Sequence, residues 1–178
     1  MELYHGTKQV ISAINLEKCR KRTDFGRGFY LTGKVGTAQN WAVRRASISG
    51  IPTIMRYMIS DGLHALPGKR ITTPDIEWLE FICLNRHNNP PHSESNEPRH
   101  GYHWVSGPIA DDKVVDVVAE YIKGKITAEE AIKRTKALPQ TYQFSLHTQE
   151  ALSFVDDVYV DYRQLKDGRW SHTWIRRK

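Results

Sequence analysis

The chain has 178 residues, of which 39% are hydrophobic and 26% are charged, and this is the composition of a globular protein with a core of its own. No apolar run is long enough to cross a bilayer, and no charged and then apolar leader follows Met1, so we expect a cytoplasmic protein without a membrane partner. The two cysteines, Cys19 and Cys83, have neither zinc-site nor CxxC spacing, so we expect no disulfide and no bound metal.

Lysine and arginine total 26 against 20 aspartate and glutamate, which leaves a formal net charge of +6. Two basic clusters stand out, namely Lys18, Arg20, Lys21, Arg22 and Arg27, and then Arg169, Arg176, Arg177 and Lys178. Such clusters are either solvated surface or a means of attracting an acidic ligand, such as the pyrophosphate of a dinucleotide or a nucleic acid. No sequence signature of a nucleic-acid-binding fold accompanies them.

The first half of the chain predicts strands at residues 2–5, Phe29–Thr32 and Thr53–Ile59, and a helix at Thr37–Ser47. Asp24–Gly28 predicts a loop, because two glycines within three residues permit backbone angles that other residues avoid. One face of the helix carries Ala38, Trp41, Ala42 and Arg45. One side of the third strand carries Thr53, Met55, Tyr57 and Ile59.

The middle of the chain predicts two helices around a polar loop. Thr73-Pro74-Asp75 is typical of a helix start, with a hydroxyl cap, a proline in the first turn and then acids. The apolar residues of that helix are Ile76, Leu79, Ile82 and Cys83. Residues 88–101 predict a flexible polar loop. Asp111 then caps a helix that Gly124 closes, and its shared face carries Val115, Val118, Ala119 and Ile122.

The last part predicts a helix, a strand, a short helix and a final strand. Thr127 and Glu130 form a capping box for a helix that Pro139 stops. In the strand that follows, Tyr142, Phe144 and Leu146 alternate with Gln143, Ser145 and His147, which predicts a half-buried strand. Thr148–Phe154 predicts the short helix, and Val158, Val160 and Tyr162 the final strand. The mixture predicts a single α+β domain over residues 1–178, with a basic C-terminal tail at 163–178.

Two motifs near the start carry the functional signal. His5-Gly6-Thr7 places a histidine on a short apolar strand that the glycine ends, and Tyr30 follows the glycine-rich loop of residues 24–28. An imidazole, an exposable backbone and an aromatic face are the groups that hold a nicotinamide ribonucleoside. The pairing therefore predicts an enzyme that uses NAD.

These motifs, with the Gly107–Asp112 segment, Asn85-Arg86 and the Gln143–Leu146 strand, resemble a bacterial family of uncharacterised proteins in the ADP-ribosyltransferase-like superfamily. The similarity runs from about Leu3 to Phe154. It implies a split β-sheet core with surrounding helices and an NAD site between two small sheets.

The chain is similar to the His-Tyr-Glu branch of that superfamily, whose motif positions fall on His5, Tyr30 and Gln143. The resemblance implies that His5 holds a ribose through its hydroxyls, that the Gly6 backbone holds the nicotinamide amide, and that Tyr30 stacks on the nicotinamide ring. It extends the NAD-binding set to Thr7, Asp24, Gly26, Arg27, Gly28, Phe29, Asn85, Arg86 and Asp111.

The third motif position departs from the branch, because it carries Gln143 where the branch has glutamate. Cleavage of the nicotinamide–ribose bond builds positive charge on the sugar, and a polar or anionic group near the ribose stabilises it. A glutamine can orient a ribose hydroxyl but cannot act as a base or counter-charge. A supporting carboxylate could come from Asp111, Asp112 or Glu150.

Each candidate residue also has a structural interpretation. His5 can be a structural histidine, Tyr30 a core residue, Asp111 a helix cap, and Arg86 either a helix-end cation or a phosphate contact. A metal site is not indicated by the four histidines around the polar loop, which have no paired ligand spacing: His87, His92, His100 and His103.

Three functions remain open from the sequence. The first is a mono-ADP-ribosyltransferase acting on a nucleic acid or an acidic protein, with a toxin role and a cognate antitoxin by analogy. The second is NAD hydrolysis, or removal of an RNA 2′-phosphate onto NAD. The third is a non-catalytic module that binds NAD or ADP-ribose.

Overall fold

The computed structural model describes residues 1–86, 100–110, 114–135, 142–162 and 167–177. The strands in these residues are β1 (Glu2–Thr7), β2 (Phe29–Thr32), β3 (Thr53–Ile59), β4 (Gly68–Arg70), β5 (Trp104–Pro108), β6 (Tyr142–Leu146), β7 (Val155–Tyr162) and β8 (Ile175–Arg177). The α-helices are α1 (Val35–Ala46), α2 (Ile76–Arg86), α3 (Val114–Ile122), α4 (Ala128–Thr135) and α5 (Gln149–Leu152). The predicted α+β class is confirmed. In the described ranges, no helix is long and apolar enough to cross a membrane.

The first of two compact units comprises Met1–Ile14, Tyr30–Leu66 and Gln149–Lys178. Its strands run in the order β2-β1-β3-β7-β8, and each neighbouring pair is antiparallel. Helix α1 packs against β1 and β3. The predicted face of β3 is confirmed, since Thr53, Met55, Tyr57 and Ile59 are all buried. Ile54 on the opposite face is fully buried as well, because α1 covers that side.

The second unit comprises Asn15–Phe29 and Pro67–Thr148. In it β4 runs parallel to β5, β5 pairs antiparallel with β6, and the helices α2, α3 and α4 pack on one another. Trp78 of α2 is fully buried, and its Nε1 donates a hydrogen bond to the carbonyl oxygen of Pro108, 3.2 Å away. This bond ties α2 to the end of β5.

The cap of α2 differs from the prediction. Asp75, not Thr73, is the N-cap, because its Oδ1 accepts the backbone N–H of Trp78 at 3.0 Å. The Thr73 hydroxyl instead donates to Asp75 Oδ2 at 2.7 Å, which fixes the rotamer of the cap. The Thr127 cap of α4 was predicted correctly, since its Oγ1 accepts the N–H of Glu130 at 3.2 Å.

Two predicted faces were partly wrong. In the predicted face of α3, Val118 is buried, but Val115 is 55% and Ile122 43% exposed, and Val114 and Val117 are buried in their place. In β6 the polar side is also covered, because Ser145 is fully buried and the following His147 is 7% exposed. Periodicity identifies a repeating face but not how many faces the neighbouring elements cover.

Some predictions are refined, and others fall outside the described residues. Helix α1 begins at Val35, two residues before the predicted start, and part of the basic C-terminal segment is strand β8, which pairs with β7. Several predictions concern residues that the structure does not describe. These are the cap Asp111, Asp112, the helix stop Pro139 and residues 88–99 of the polar loop.

Gly6 lies where α1 approaches β1 most closely. A Cβ atom at Gly6 would be 2.0 Å from the carbonyl oxygen of Ala38 and 2.8 Å from the backbone nitrogen of Ala42. Both atoms belong to the α1 backbone and cannot rotate away, so glycine at this position is a packing requirement.

We predict that Gly6→Ala lowers the free energy of unfolding by about 1–3 kcal/mol, because α1 must move away from β1. The control is Gly36→Ala in α1, where a Cβ meets nothing within 4 Å, and it should be neutral or stabilising by about 0.4–1 kcal/mol. Urea unfolding measures both, and equal stabilities would contradict the packing account.

Candidate functional site

The first unit places His5 and Tyr30 together through one hydrogen bond. His5 Nδ1 lies 2.7 Å from the backbone carbonyl oxygen of Tyr30. A carbonyl only accepts, so Nδ1 carries the proton and Nε2 is the acceptor end of a neutral ring. Burial lowers the pKa of His5, and the positive charge of Arg45 lowers it further, while the bond to Tyr30 opposes the shift. His5 is therefore neutral at physiological pH.

The neighbours of His5 in this unit have defined positions. Gly6 lies against α1, and Thr7 ends β1 opposite Thr53 of β3. Tyr30 is partly buried and is the first residue of β2 that belongs to this unit. The predicted residues His5, Gly6, Thr7 and Tyr30 are thus brought together on two adjacent strands.

The second unit holds the predicted loop of residues 24–28 through the carboxylate of Asp24, which is only 5% exposed. Arg86 donates to Asp24 Oδ1 from Nε at 2.7 Å, and its second guanidinium nitrogen lies 2.6 Å from the same oxygen. Gln143 Nε2 donates to Asp24 Oδ2 at 2.6 Å. A buried carboxylate is tolerated because these donors replace water. Arg86 at the end of α2 is therefore a partner of Asp24.

The contact with Asp24 also decides the orientation of the Gln143 amide. An ionised carboxylate has no hydrogen to donate, so the amide must turn its NH₂ group towards Asp24. Its Oε1 atom then points away from Asp24 as a hydrogen-bond acceptor. Towards anything on that side, Gln143 offers the same acceptor chemistry as a glutamate oxygen without the charge.

Two histidines hold the backbone of the same loop. His100 Nε2 donates to the carbonyl oxygen of Phe25 at 2.9 Å, while its Nδ1 accepts the N–H of Tyr102 at 3.2 Å. His147 Nδ1 donates to the carbonyl oxygen of Arg27 at 2.8 Å. The two imidazole rings meet edge to face with centroids 4.7 Å apart. The loop carbonyls of Phe25 and Arg27 are therefore held in place from the same unit.

The two glycines of the loop, Gly26 and Gly28, are needed for different structural reasons. Gly26 has φ of 78°, a left-handed conformation that favours glycine. A Cβ at Gly28 would lie 2.7 Å from His147 Nδ1, so glycine leaves room for the imidazole. The Arg27 guanidinium donates to the carbonyl oxygen of Glu17. The conformation of the loop is therefore fixed by specific contacts within the unit.

His147 is the most strongly perturbed histidine of this group. Burial lowers its pKa to about 3, the bond to the Arg27 carbonyl opposes the shift, and the neighbouring His100 lowers it further. Its Nε2 lies 2.8 Å from the Ser145 hydroxyl, which is itself 3.2 Å from the carbonyl oxygen of Val105. The ring is neutral at physiological pH.

The remaining predicted residues have structural partners. Phe29 is 5% exposed at the start of β2, and Asn85 is buried with its Nδ2 donating to the carbonyl oxygen of Phe81 at 2.8 Å. His103 Nδ1 lies 2.9 Å from the Thr148 hydroxyl. Within the described residues, no group of three or more His, Cys, Asp or Glu side chains could hold a metal ion.

Sequence reasoning missed His100, His147 and Ser145 as members of this arrangement. Ser145 and His147 share the polar side of β6 with Gln143, and that alternation was the signal that could have found them. It was interpreted as a solvent side because polar residues at period two are usually exposed.

The comparisons with known proteins give one match. A family model described as "Protein of unknown function (DUF3990)" matches residues 1–156. The chain belongs to the DUF3990 family. No curated protein and no solved structure matches it. The DUF3990 match includes every described residue of the two groups above.

For this DUF3990 chain we predict a fall in stability as the pH drops from about 6.5 towards 3. The unfolded imidazole of His147 takes up a proton below its ordinary pKa of 6.5, whereas the folded one has a pKa of about 3. The unfolded state therefore binds more protons in this window, which costs up to about 1.4 kcal/mol per pH unit. Urea unfolding between pH 7 and pH 4 measures it.

The control for this prediction is His147→Gln, which removes the titrating group. The variant should be less stable at pH 7, and its stability should change less with pH than that of the wild type. An unchanged pH dependence would show that His147 is not the group responsible.

Proposed function

We propose that this protein is an NAD-dependent mono-ADP-ribosyltransferase that modifies a macromolecule. The observation that carries the proposal is the hydrogen bond between His5 Nδ1 and the Tyr30 carbonyl oxygen, at 2.7 Å. Burial lowers the pKa of His5 and so favours the neutral ring, and this bond holds the proton on Nδ1 and leaves Nε2 as the acceptor. A ribose hydroxyl is a donor, so His5 has the protonation state and orientation needed to hold a ribose of NAD.

The hydrogen-bonding chemistry of Gln143 agrees with the same proposal. The Asp24 carboxylate takes the amide NH₂ at 2.6 Å and leaves Oε1 as an acceptor. An acceptor is what a glutamate at this position would present to a ribose hydroxyl. The substitution of glutamine for glutamate therefore keeps the hydrogen-bonding role and gives up the negative charge.

The proposed reaction breaks the bond between nicotinamide nitrogen and ribose carbon. The bonding electrons stay with nicotinamide, which leaves as a neutral molecule, and positive charge develops on the ribose. A nucleophile of the acceptor forms the new bond to the same carbon and releases a proton. Nothing in the step needs a metal or an external redox partner. Tyr30 orients the nicotinamide ring by stacking, and His5 orients the sugar.

A second candidate is a module that binds NAD or ADP-ribose without cleaving NAD. The observation in its favour is that Gln143 carries no charge and that the nearby Asp24 carboxylate is already paired with Arg86. Such a site would bind the ligand but stabilise the developing ribose charge poorly.

The test of the function is incubation of the purified protein with adenine-labelled NAD and a cell lysate. Label on a macromolecule that is lost in Tyr30→Ala supports transfer, and protease and nuclease digestion then identify the acceptor class. Free ADP-ribose without labelled macromolecule would indicate hydrolysis. Intact NAD together with tight NAD binding would favour the second candidate and contradict transfer.

We predict that His5→Ala and Tyr30→Ala both weaken NAD binding by about tenfold or more without unfolding the protein, since each removes an orienting contact worth about 1–2 kcal/mol. His64→Ala is the matched control, because His64 is an exposed histidine of the same unit. Calorimetry measures the affinity and circular dichroism the fold. Unchanged affinity in both variants would reject the site.

We predict that Gln143→Glu lowers the free energy of unfolding by about 1–3 kcal/mol, because it removes the donor to Asp24 and places two carboxylates against each other. The double variant Asp24→Asn/Gln143→Glu exchanges amide and carboxylate, and it should recover part of that loss, because the new amide NH₂ at position 24 can donate to the new carboxylate at position 143 and the amide oxygen can still accept from Arg86. Urea unfolding of the three proteins measures it. No recovery in the double variant would contradict the Asp24–Gln143 account.

A further inference from the structure

Helix α1 carries an exposed aromatic and basic surface that the proposed NAD chemistry does not use. Four residues recur at spacings of one, three and four along this helix and just past its C-terminal end, and therefore lie on one side of it. They are Trp41, Arg44, Arg45 and Ile48, and we refer to them as the Trp41 face. Trp41 is 36% and Ile48 96% exposed, and both arginines are exposed.

The two arginines are placed around the tryptophan ring. The guanidinium carbon of Arg44 lies 5.5 Å from the ring centroid of Trp41, and that of Arg45 lies 5.8 Å from it. These are cation–π distances. The Cβ atom of Trp41 lies against β1, since a Cβ added at Gly6 would be 2.9 Å from it. The face therefore combines an exposed aromatic ring with two positive charges.

The surrounding sequence contains no negative charge. Residues 30–60 carry Lys34, Arg44, Arg45 and Arg56 but no aspartate or glutamate. The segment is therefore basic, and a basic segment is complementary to a polyanion.

The chemistry of the Trp41 face favours one class of polyanion. Proteins that bind single-stranded nucleic acid place Lys and Arg along the phosphates and aromatic rings against the bases. The carboxylates of an acidic protein would pair with the arginines but would not stack on the exposed indole. An extended duplex would satisfy the arginines with its phosphates but would keep its bases stacked away from Trp41.

The face belongs to the helix that packs on the strand of His5. Helix α1 packs on β1, which carries His5, and the positive charge of Arg45 makes a small contribution to keeping the His5 imidazole neutral. A polymer bound at the Trp41 face and a ribose bound at His5 would therefore both be held by this helix and strand.

We propose that the Trp41 face binds single-stranded nucleic acid and that this polymer is the acceptor of ADP-ribose. The binding stands on the exposed indole, the two arginines and the acid-free segment. The role as acceptor rests on the proposed function.

The first experiment measures binding without NAD. A fluorescein-labelled single-stranded oligonucleotide of about 16 nucleotides is titrated with the protein, and anisotropy gives the affinity at several salt concentrations. Trp41→Leu should weaken binding by about tenfold or more, because leucine keeps the apolar bulk and loses the stacking surface. Trp41→Phe should recover part of the loss. Equal affinity of wild type and Trp41→Leu, with both proteins folded, would overturn the proposal.

A matched pair of charge variants tests the arginines. Arg44→Gln/Arg45→Gln should lower the salt slope of binding by about 1.4, since each phosphate contact to a single strand contributes about 0.7. Arg176→Gln/Arg177→Gln on β8 removes the same charge from another exposed place in the unit and should leave the slope unchanged. Equal salt slopes in the two double variants would show that only the net charge matters, and would overturn the assignment of binding to the Trp41 face.

Competition separates the other polymer classes. Unlabelled single strand should displace the probe, whereas a matched duplex and polyglutamate should do so poorly. Displacement by polyglutamate at the same charge concentration would assign the face to an acidic protein and overturn the proposal.

The second experiment adds adenine-labelled NAD to the same oligonucleotide. Label on the oligonucleotide that is lost in Trp41→Leu, while that variant still binds NAD, supports the acceptor role. Oligonucleotide binding without label, from a protein that labels another macromolecule, would overturn the acceptor role alone. Failure of labelling on every substrate would count against the proposed function and leave the binding result as measured.

Discussion

The carboxylate of Asp24 is shielded from water, and a shielded negative charge must be met by donors from the protein. Arg86 supplies the opposite charge and Gln143 a neutral donor, so the loop, the end of α2 and the start of β6 are joined at one residue. Two backbone carbonyls of the same loop are also satisfied within the unit, by His100 and His147.

The first unit depends on a close approach of a different kind. Helix α1 lies so near to β1 that only glycine fits at position 6. Burial keeps the pKa of His5 low, the charge of Arg45 on α1 lowers it further, and the Tyr30 carbonyl holds the proton on Nδ1. The neutral state of the histidine is therefore mainly a result of its burial.

The two groups share a chemical character that bears on function. Each presents a neutral hydrogen-bond acceptor whose orientation is set by a partner that can only accept. That partner is a carbonyl for His5 and a carboxylate for Gln143. Neutral, oriented acceptors suit a hydroxyl-rich ligand such as a nucleotide sugar. Neither acceptor atom carries a charge, so the proposed reaction would depend on how the ribose and the acceptor polymer are oriented. The Trp41 face is proposed to hold that polymer.

The sequence by itself determined the features that depend on short-range preferences. The period of β3 identified one of its buried faces, Thr127 identified the cap of α4, and the paired glycines identified the loop before Tyr30. These follow from backbone sterics and local hydrogen bonds, which a few neighbouring residues specify.

Only the tertiary structure decided the rest. Gln143 lies 119 residues from Asp24 in the chain, and Arg86 lies 62 residues from it, so no local pattern connects them. Ser145 and His147 looked solvent-facing because their side of β6 is polar, yet both are buried among partners from elsewhere in the unit. Local preference determines which elements form, whereas burial depends on what packs against each face, and that is a property of the whole fold.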